Sequence, residues 1–163
     1  MKRIIIHWTA GGAVPNVHEK NCYHYLIDNL GKIYEGTFKP QANEHCLKGQ
    51  YAAHTGGGNT GSIGVSLCGM YGFKDKNNIG IYPITKVQFE AAMQLCAKLC
   101  KEFNIQITKN TVLTHYEFGI THPSTTSARK IDITYLPPYS WVEKESIGDF
   151  IRTKIRWYFQ KLN

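Results

Sequence analysis

Two short apolar runs, Ile4-Ile5-Ile6 and Val112-Leu113-Thr114, each stop at a histidine, His7 and His115. Runs this short and this rich in β-branched residues read as buried strands rather than helices. We read them as strands over Lys2–His7 and Val112–His115. If the two strands neighbour each other in one sheet, both imidazoles emerge at the same edge. Neutral imidazoles meeting at a dry edge suit zinc, which takes N, S or O ligands at about 2.0–2.3 Å. One histidine ending a strand is more often a hydrogen-bonded structural residue, and two at equivalent strand ends shift the balance toward a ligand role, so this feature constrains the fold before it constrains the chemistry.

Other elements follow from local chemistry. Tyr23–Asp28 and Lys32–Glu35 flank the turn signal Asn29-Leu30-Gly31 and predict a hairpin. Ser62–Gly69 predicts a further strand. Thr85-Lys86-Val87-Gln88 carries a capping-box pattern, and Ala92, Cys96, Leu99 and Phe103 recur behind it on one helical face. A second helix is predicted over about 146–162, capped near Ser146 and Asp149, with Ile147, Ile151, Ile155, Tyr158 and Leu162 as its apolar stripe. Arg152, Lys154, Arg156 and Lys161 are expected largely off that stripe, on a solvated face that can also touch a wall or lipid surface. Strands mixed with long helices imply an α/β domain, a mixed central β-sheet flanked by helices. The 163 residues show no repeat, low-complexity tract or linker, so one domain spanning 1–163 is expected. Residues 37–53 and 118–139 lack periodicity, and long loops in a compact domain are often functional.

Composition excludes several classes. Apolar residues are 42% and charged residues 19%, which is globular and neither disordered nor coiled-coil. No apolar run reaches the 18 or so residues of a membrane span. The apolar stretch after Met1-Lys2-Arg3 is too short for a signal peptide, so synthesis in the cytoplasm is expected. Five cysteines, an odd number with no C-x-x-C pair, argue against a disulfide framework and a zinc ribbon; Cys96 and Cys100 read as small buried residues. The net charge of +7 favours an anionic partner. No nucleic-acid motif accompanies it, and the aromatics do not interleave with Lys and Arg, so nucleic acid is not expected. Gly56-Gly57-Gly58 lacks a following Gly-Lys-Ser/Thr and is no phosphate loop; a tight cleft wall that a bulky sugar can approach is the expectation.

A third ligand for a metal at His7 and His115 has a candidate in Arg129-Lys130-Ile131-Asp132, although Lys130 and Asp132 alone would pass for surface charges. Three protein ligands leave a fourth position open, as in catalytic zinc sites. Residue types and spacing thus reach a metal-dependent hydrolase as one reading and go no further.

Five segments in order add a resemblance. Ile4-Ile5-Ile6-His7-Trp8-Thr9-Ala10-Gly11, Tyr23-His24-Tyr25-Leu26-Ile27, Ala53-His54-Thr55-Gly56 through Asn59 with Ser62-Ile63-Gly64-Val65, Thr114-His115-Tyr116-Glu117, and Lys130-Ile131-Asp132 resemble the motifs of the type 2 N-acetylmuramoyl-L-alanine amidases. That family also holds phage lysozymes of the amidase type and the peptidoglycan recognition proteins. The resemblance covers about residues 4 to 132. It implies that His7, His115 and Asp132 hold one Zn2+, that Lys130 faces the substrate carbonyl, and that Tyr23 lines the same pocket. It implies that His54 and Asn59 border the cleft for a peptidoglycan or muropeptide substrate. Some bacterial members carry a catalytic glutamate where this chain has Ser66. The His115–Asp132 separation, 132 − 115 = 17, is longer than is usual in the family, and Asp132 lacks the Pro-Gly that often follows it. Glu117 is a rival base or an orienting residue. A non-catalytic peptidoglycan-binding module is the main alternative from another class. Within the enzyme reading, a wall-degrading lysin and a cytoplasmic muropeptide-recycling amidase remain, in either case as a monomer.

Overall fold

In the computed structural model, which describes residues 1–162, a five-stranded sheet carries the functional end of the molecule. The strands are β1 (Arg3–Trp8), β2 (Tyr25–Ile27), β3 (Ile33–Glu35), β4 (Ser62–Leu67) and β5 (Val112–Thr114). The helices are α1 (Val17–Cys22), α2 (Lys86–Glu102), α3 (His115–Thr121) and α4 (Ile147–Phe159). Strand order is β3-β2-β4-β1-β5. The β1 strand runs parallel to β4 and β5, β2 runs parallel to β4, and only β3 is antiparallel, in the hairpin with β2. The mixed α/β architecture agrees with the expectation. No described helix is long and apolar enough to cross a membrane.

Alternation along the parallel strands divides the two faces. Ile4, Ile6 and Trp8 of β1 and Ile63, Val65 and Leu67 of β4 join the main core, with Phe89, Ala92, Met93, Cys96 and Leu99 of α2 and Ile147, Ile151 and Ile155 of α4. The opposite face carries Ile5, Leu113 and Phe118 at its base. Above them lie His7 of β1 and Ser66 of β4, which are register partners. A side-chain period of 2 thus buries one face under helices and leaves the other to small and polar residues.

Helix starts follow their caps. Thr85 Oγ1 accepts from Gln88 N while Gln88 Oε1 accepts from Thr85 N. Buried Gln88 also donates to the carbonyls of Ile27 and Cys68, tying α2 to the ends of β2 and β4. Two further capping boxes, Asn16 with Glu19 and Thr114 with Glu117, start α1 and α3, neither of which the periodicity predicted.

Three expectations are corrected. The last strand ends at Thr114, and His115 is the first residue of α3, because Thr114 caps a helix there. Ser146 makes no side-chain cap for α4, since Asp149 turns to Arg152 instead. Arg152 is not on a solvated face: it is 3% exposed and ion-paired inside the protein. The five cysteines are free, with Cys68, Cys96 and Cys100 buried.

Candidate metal centre

Pairing between β1 and β5 sets Ile4 beside Val112 and Ile6 beside Thr114, so the next position along brings His115 to His7. Both lie at the carboxyl ends of parallel strands, where α/β sheets bind ligands. Their ring centroids are 4.6 Å apart. Asp132 reaches them from the loop after α3. The His7 and His115 Nδ1 atoms are 3.1 Å apart, and Asp132 Oδ2 lies 2.9 Å from the first and 3.0 Å from the second. All three residues are buried.

Each imidazole has a partner for its far nitrogen. His7 Nε2 lies 3.2 Å from His54 Nδ1 and 3.4 Å from Thr55 Oγ1. His54 Nε2 in turn lies 3.4 Å from the Ser62 carbonyl, which can only accept, so His54 Nδ1 carries a lone pair toward His7. His115 Nε2 lies 2.9 Å from Ser127 Oγ, whose proton goes to the Gly56 carbonyl. With protons at Nε2, both Nδ1 atoms present lone pairs to the carboxylate oxygen. Three electron-rich atoms converging without a proton between them repel unless a cation joins them. Tetrahedral ligands at about 2.0–2.1 Å from a zinc ion stand about 3.3 Å apart, close to the separations here. Donor set and spacing therefore fit the ion, and buried partners at the outer nitrogens are what metal-ligating histidines commonly have.

Electrostatics agree with this arrangement. Burial pushes the His7 imidazole down to about 4, against the raising effect of Asp132. Burial alone would raise the Asp132 carboxyl, but its contacts with His115 and His7 outweigh it and hold the group well below the carboxylate range. Burial, reinforced by the neighbouring histidines, also keeps His54 neutral. A neutral imidazole and an ionised carboxylate are the forms that bind metal.

His115 and Asp132 line a cleft of about 360 Å³ together with Tyr23, His54, Phe73, Lys130 and Ile131, among others, and His7 lies fully buried behind them. Tyr23 stands 5.1 Å from His7, ring to ring. Burial, then the charge of Asp132, raises its phenol well above the ordinary value, so it stays protonated. Lys130 is exposed, has extended backbone, and lines the same cleft as Asp132. His54 borders the cleft and also stands behind His7. Asn59 does not line it: its Oδ1 accepts from Thr55 N and its carbonyl accepts from Asn43 Nδ2, so it shapes the 53–59 loop.

Glu117 takes no part in the cleft, because its oxygens accept from Thr114 N and from Arg152. At the position where the resemblance puts a glutamate in some bacterial members, Ser66 presents a buried hydroxyl beside Tyr23, with no hydrogen-bond partner of good geometry among the described residues. The Gly56–Gly58 run makes room for its own protein. Side chains there would collide with Thr126, Thr125 and Phe118, so the glycines let the 53–59 loop dock on the 118–129 segment that delivers Ser127. Gly64 acts similarly, since a Cβ would sit 2.5 Å from the His54 ring. Ile133 replaces the Pro-Gly at the turn after Asp132 with φ 64°. That left-handed conformation costs a β-branched residue about 1–2 kcal/mol, offset by complete burial of its side chain.

Sequence reading missed Ser127 and Thr55. The only signal for Ser127 was its place in a long loop, and its partner Gly56 is 71 residues away.

Among solved structures, the complex of AmiD from E. coli with anhydro-N-acetylmuramic acid-L-Ala-D-gamma-Glu-L-Lys matches with TM-score 0.56 and 18% identity, over 91% of this chain and 58% of that one. Bumblebee PGRP-SA matches with TM-score 0.50 and 16% identity, over 90% and 80%. LysC of Clostridium intestinale URNW matches at TM-score 0.49 and 18% identity, over 71% and 70%. At these identities the likeness concerns the fold. No curated protein sequence matches the chain. The family model described as N-acetylmuramoyl-L-alanine amidase, however, matches residues 1–133, and with that match the chain belongs to the Amidase_2 family.

Proposed function

We propose that this protein is a zinc-dependent N-acetylmuramoyl-L-alanine amidase that cleaves the lactyl-amide bond between N-acetylmuramic acid and L-alanine in peptidoglycan. The observation that carries the reading is the convergence of His7 Nδ1, His115 Nδ1 and Asp132 Oδ2 beside a cleft that His115, Asp132, Tyr23 and Lys130 line. Family membership gives the amide chemistry its context.

His7, His115 and Asp132 would hold the ion, and the carboxylate would offset part of its charge. When bound there, zinc would supply a water of pKa about 7, against 15.7 in bulk, and a Lewis acid for the carbonyl. His54 and Ser127 fix the two imidazole rings. Tyr23, neutral and aimed into the cleft, directs the attacking water by hydrogen bonding. Lys130 places an ammonium where negative charge grows on the carbonyl oxygen, a kind of contribution worth about 2.7–4 kcal/mol. Ser66 offers no carboxylate, so this chain relies on Tyr23 and Lys130.

We assign the enzyme the role of a lysin acting on polymeric wall after release from the cytoplasm. The net charge of +7 supports this, because a basic enzyme is drawn to an anionic polymer and less to a small muropeptide. Digestion of purified sacculi, followed by identification of new end groups, tests the proposal. New L-alanine amino termini and intact muramic acid are expected. Binding without new amino termini would make the protein a recognition module instead. Faster turnover of small muropeptides than of sacculi would move it to recycling.

A further inference from the structure

The edge strand β5 has three residues and pairs only with β1, yet it must deliver His115 to the metal centre. Helix α3, which begins at His115, has seven residues. Neither element is long enough to fix its own position.

Arg152 of α4 holds both. Its Nη1 donates to the carbonyl of Val112, the first residue of β5, at 3.0 Å. The same guanidinium grips Glu117 with two bonds, Nη1 to Oε2 at 3.0 Å and Nη2 to Oε1 at 2.9 Å. Asp149 Oδ1 takes a further bond from Nη2 at 2.8 Å. Glu117 Oε2 also accepts from Thr114 N at 2.9 Å, while Thr114 Oγ1 accepts from Glu117 N at 3.1 Å. His115 lies inside this box, between Thr114 and Glu117. Gly148 of α4 makes room for the Glu117 carboxylate, which a side chain there would strike.

We propose that Arg152 is a positioning residue for the ligand His115, acting through Glu117 and the cap of α3. The inference rests on the zinc reading above. It makes α4, which lies beyond the family-matched residues 1–133, a working part of the metal centre. A buried ion pair rarely adds net stability over apolar residues of similar volume. Its contribution here is therefore expected in geometry, where zinc affinity reads it.

The test uses the full chain and the double variant Glu117→Gln/Arg152→Met, which leaves no unpaired buried charge and keeps a residue able to complete the capping box. Zinc affinity is measured on metal-stripped protein by competition with a chromophoric chelator, and fold stability by urea titration. The expected result is a zinc Kd raised roughly tenfold, the lower end of losses from outer partners of metal ligands, with the urea midpoint of the stripped protein preserved. Lys161→Met, on the exposed side of the same C-terminal segment, should leave Kd unchanged. If the double variant does not fold, Arg152→Lys decides, since it keeps the charge and loses the two-pronged grip: weaker zinc binding is expected. An unchanged Kd in the folded variant overturns the inference while zinc binding by the unaltered protein stands. Failure of the unaltered protein to bind zinc overturns both readings.

Discussion

Replacing Lys130 with alanine separates the chemistry of the cleft from its construction. Lys130 is exposed and lies outside the His7–His115–Asp132 trio. Its removal should leave the fold within about 0.5 kcal/mol, as for surface positions away from packing features, and should leave zinc bound. An ammonium on an oxyanion in a water-free site is worth about 2.7–4 kcal/mol. Because Lys130 reaches solvent, the field at its head is partly screened, which argues for the lower end. At 1.36 kcal/mol per decade, about 2.7 kcal/mol is a loss of about 10²-fold in rate. The charge on the oxygen appears only as the amide is attacked, so kcat and kcat/KM should fall together. Turnover is read from L-alanine amino groups released from purified muropeptide, zinc content from elemental analysis, and fold from the melting midpoint. Unchanged turnover with intact zinc would remove Lys130 from the mechanism. Lost zinc or a collapsed midpoint would show that it holds the site together instead.

Removing the metal with a chelator should abolish cleavage and lower thermal stability, with both restored by zinc; an ion held at 100 times its Kd adds about 2.7 kcal/mol, so a chelator-insensitive melting curve would refute binding in the folded state. Ser127→Ala takes the acceptor from His115 Nε2 and the donor from the Gly56 carbonyl, and zinc affinity should drop about 10–100-fold; a competition assay showing the unaltered constant would deny Ser127 that role. Gly64→Ala drives a methyl into the His54 ring and should destabilise the protein by about 1–3 kcal/mol in urea titration, whereas unaltered stability would mean that His54 is not packed on β4.

Much of this architecture was legible because it is local. The apolar runs at Ile4–Ile6 and Ile63–Val65 carry the strands, and Thr85 with Gln88 carries the start of α2, since alternation and capping act over a few residues. The boxes at Asn16–Glu19 and Thr114–Glu117 were equally visible in type, but the helices they start have six and seven residues, too short for periodicity to register. Arg152 was misplaced for a different reason. Helical spacing sets it largely off the apolar stripe, and only an unseen partner, Glu117, makes a buried guanidinium tolerable there. Asn59 was assigned to the cleft by resemblance, and its carboxamide goes to its own loop.

The sequence by itself determined the strands, the main helices, the basic charge and the order of motifs that marks the family, because each depends on neighbours in the chain or on composition. Tertiary structure alone decided which groups meet. Parallel pairing of β1 with β5 joins histidines 108 residues apart, the segment after α3 brings Ser127 behind one of them, and α4 supplies Arg152 to the other end of the same short strand. A metal centre is a coincidence of directions as well as of residue types, and directions across that many residues are set by how the sheet closes and what packs against it.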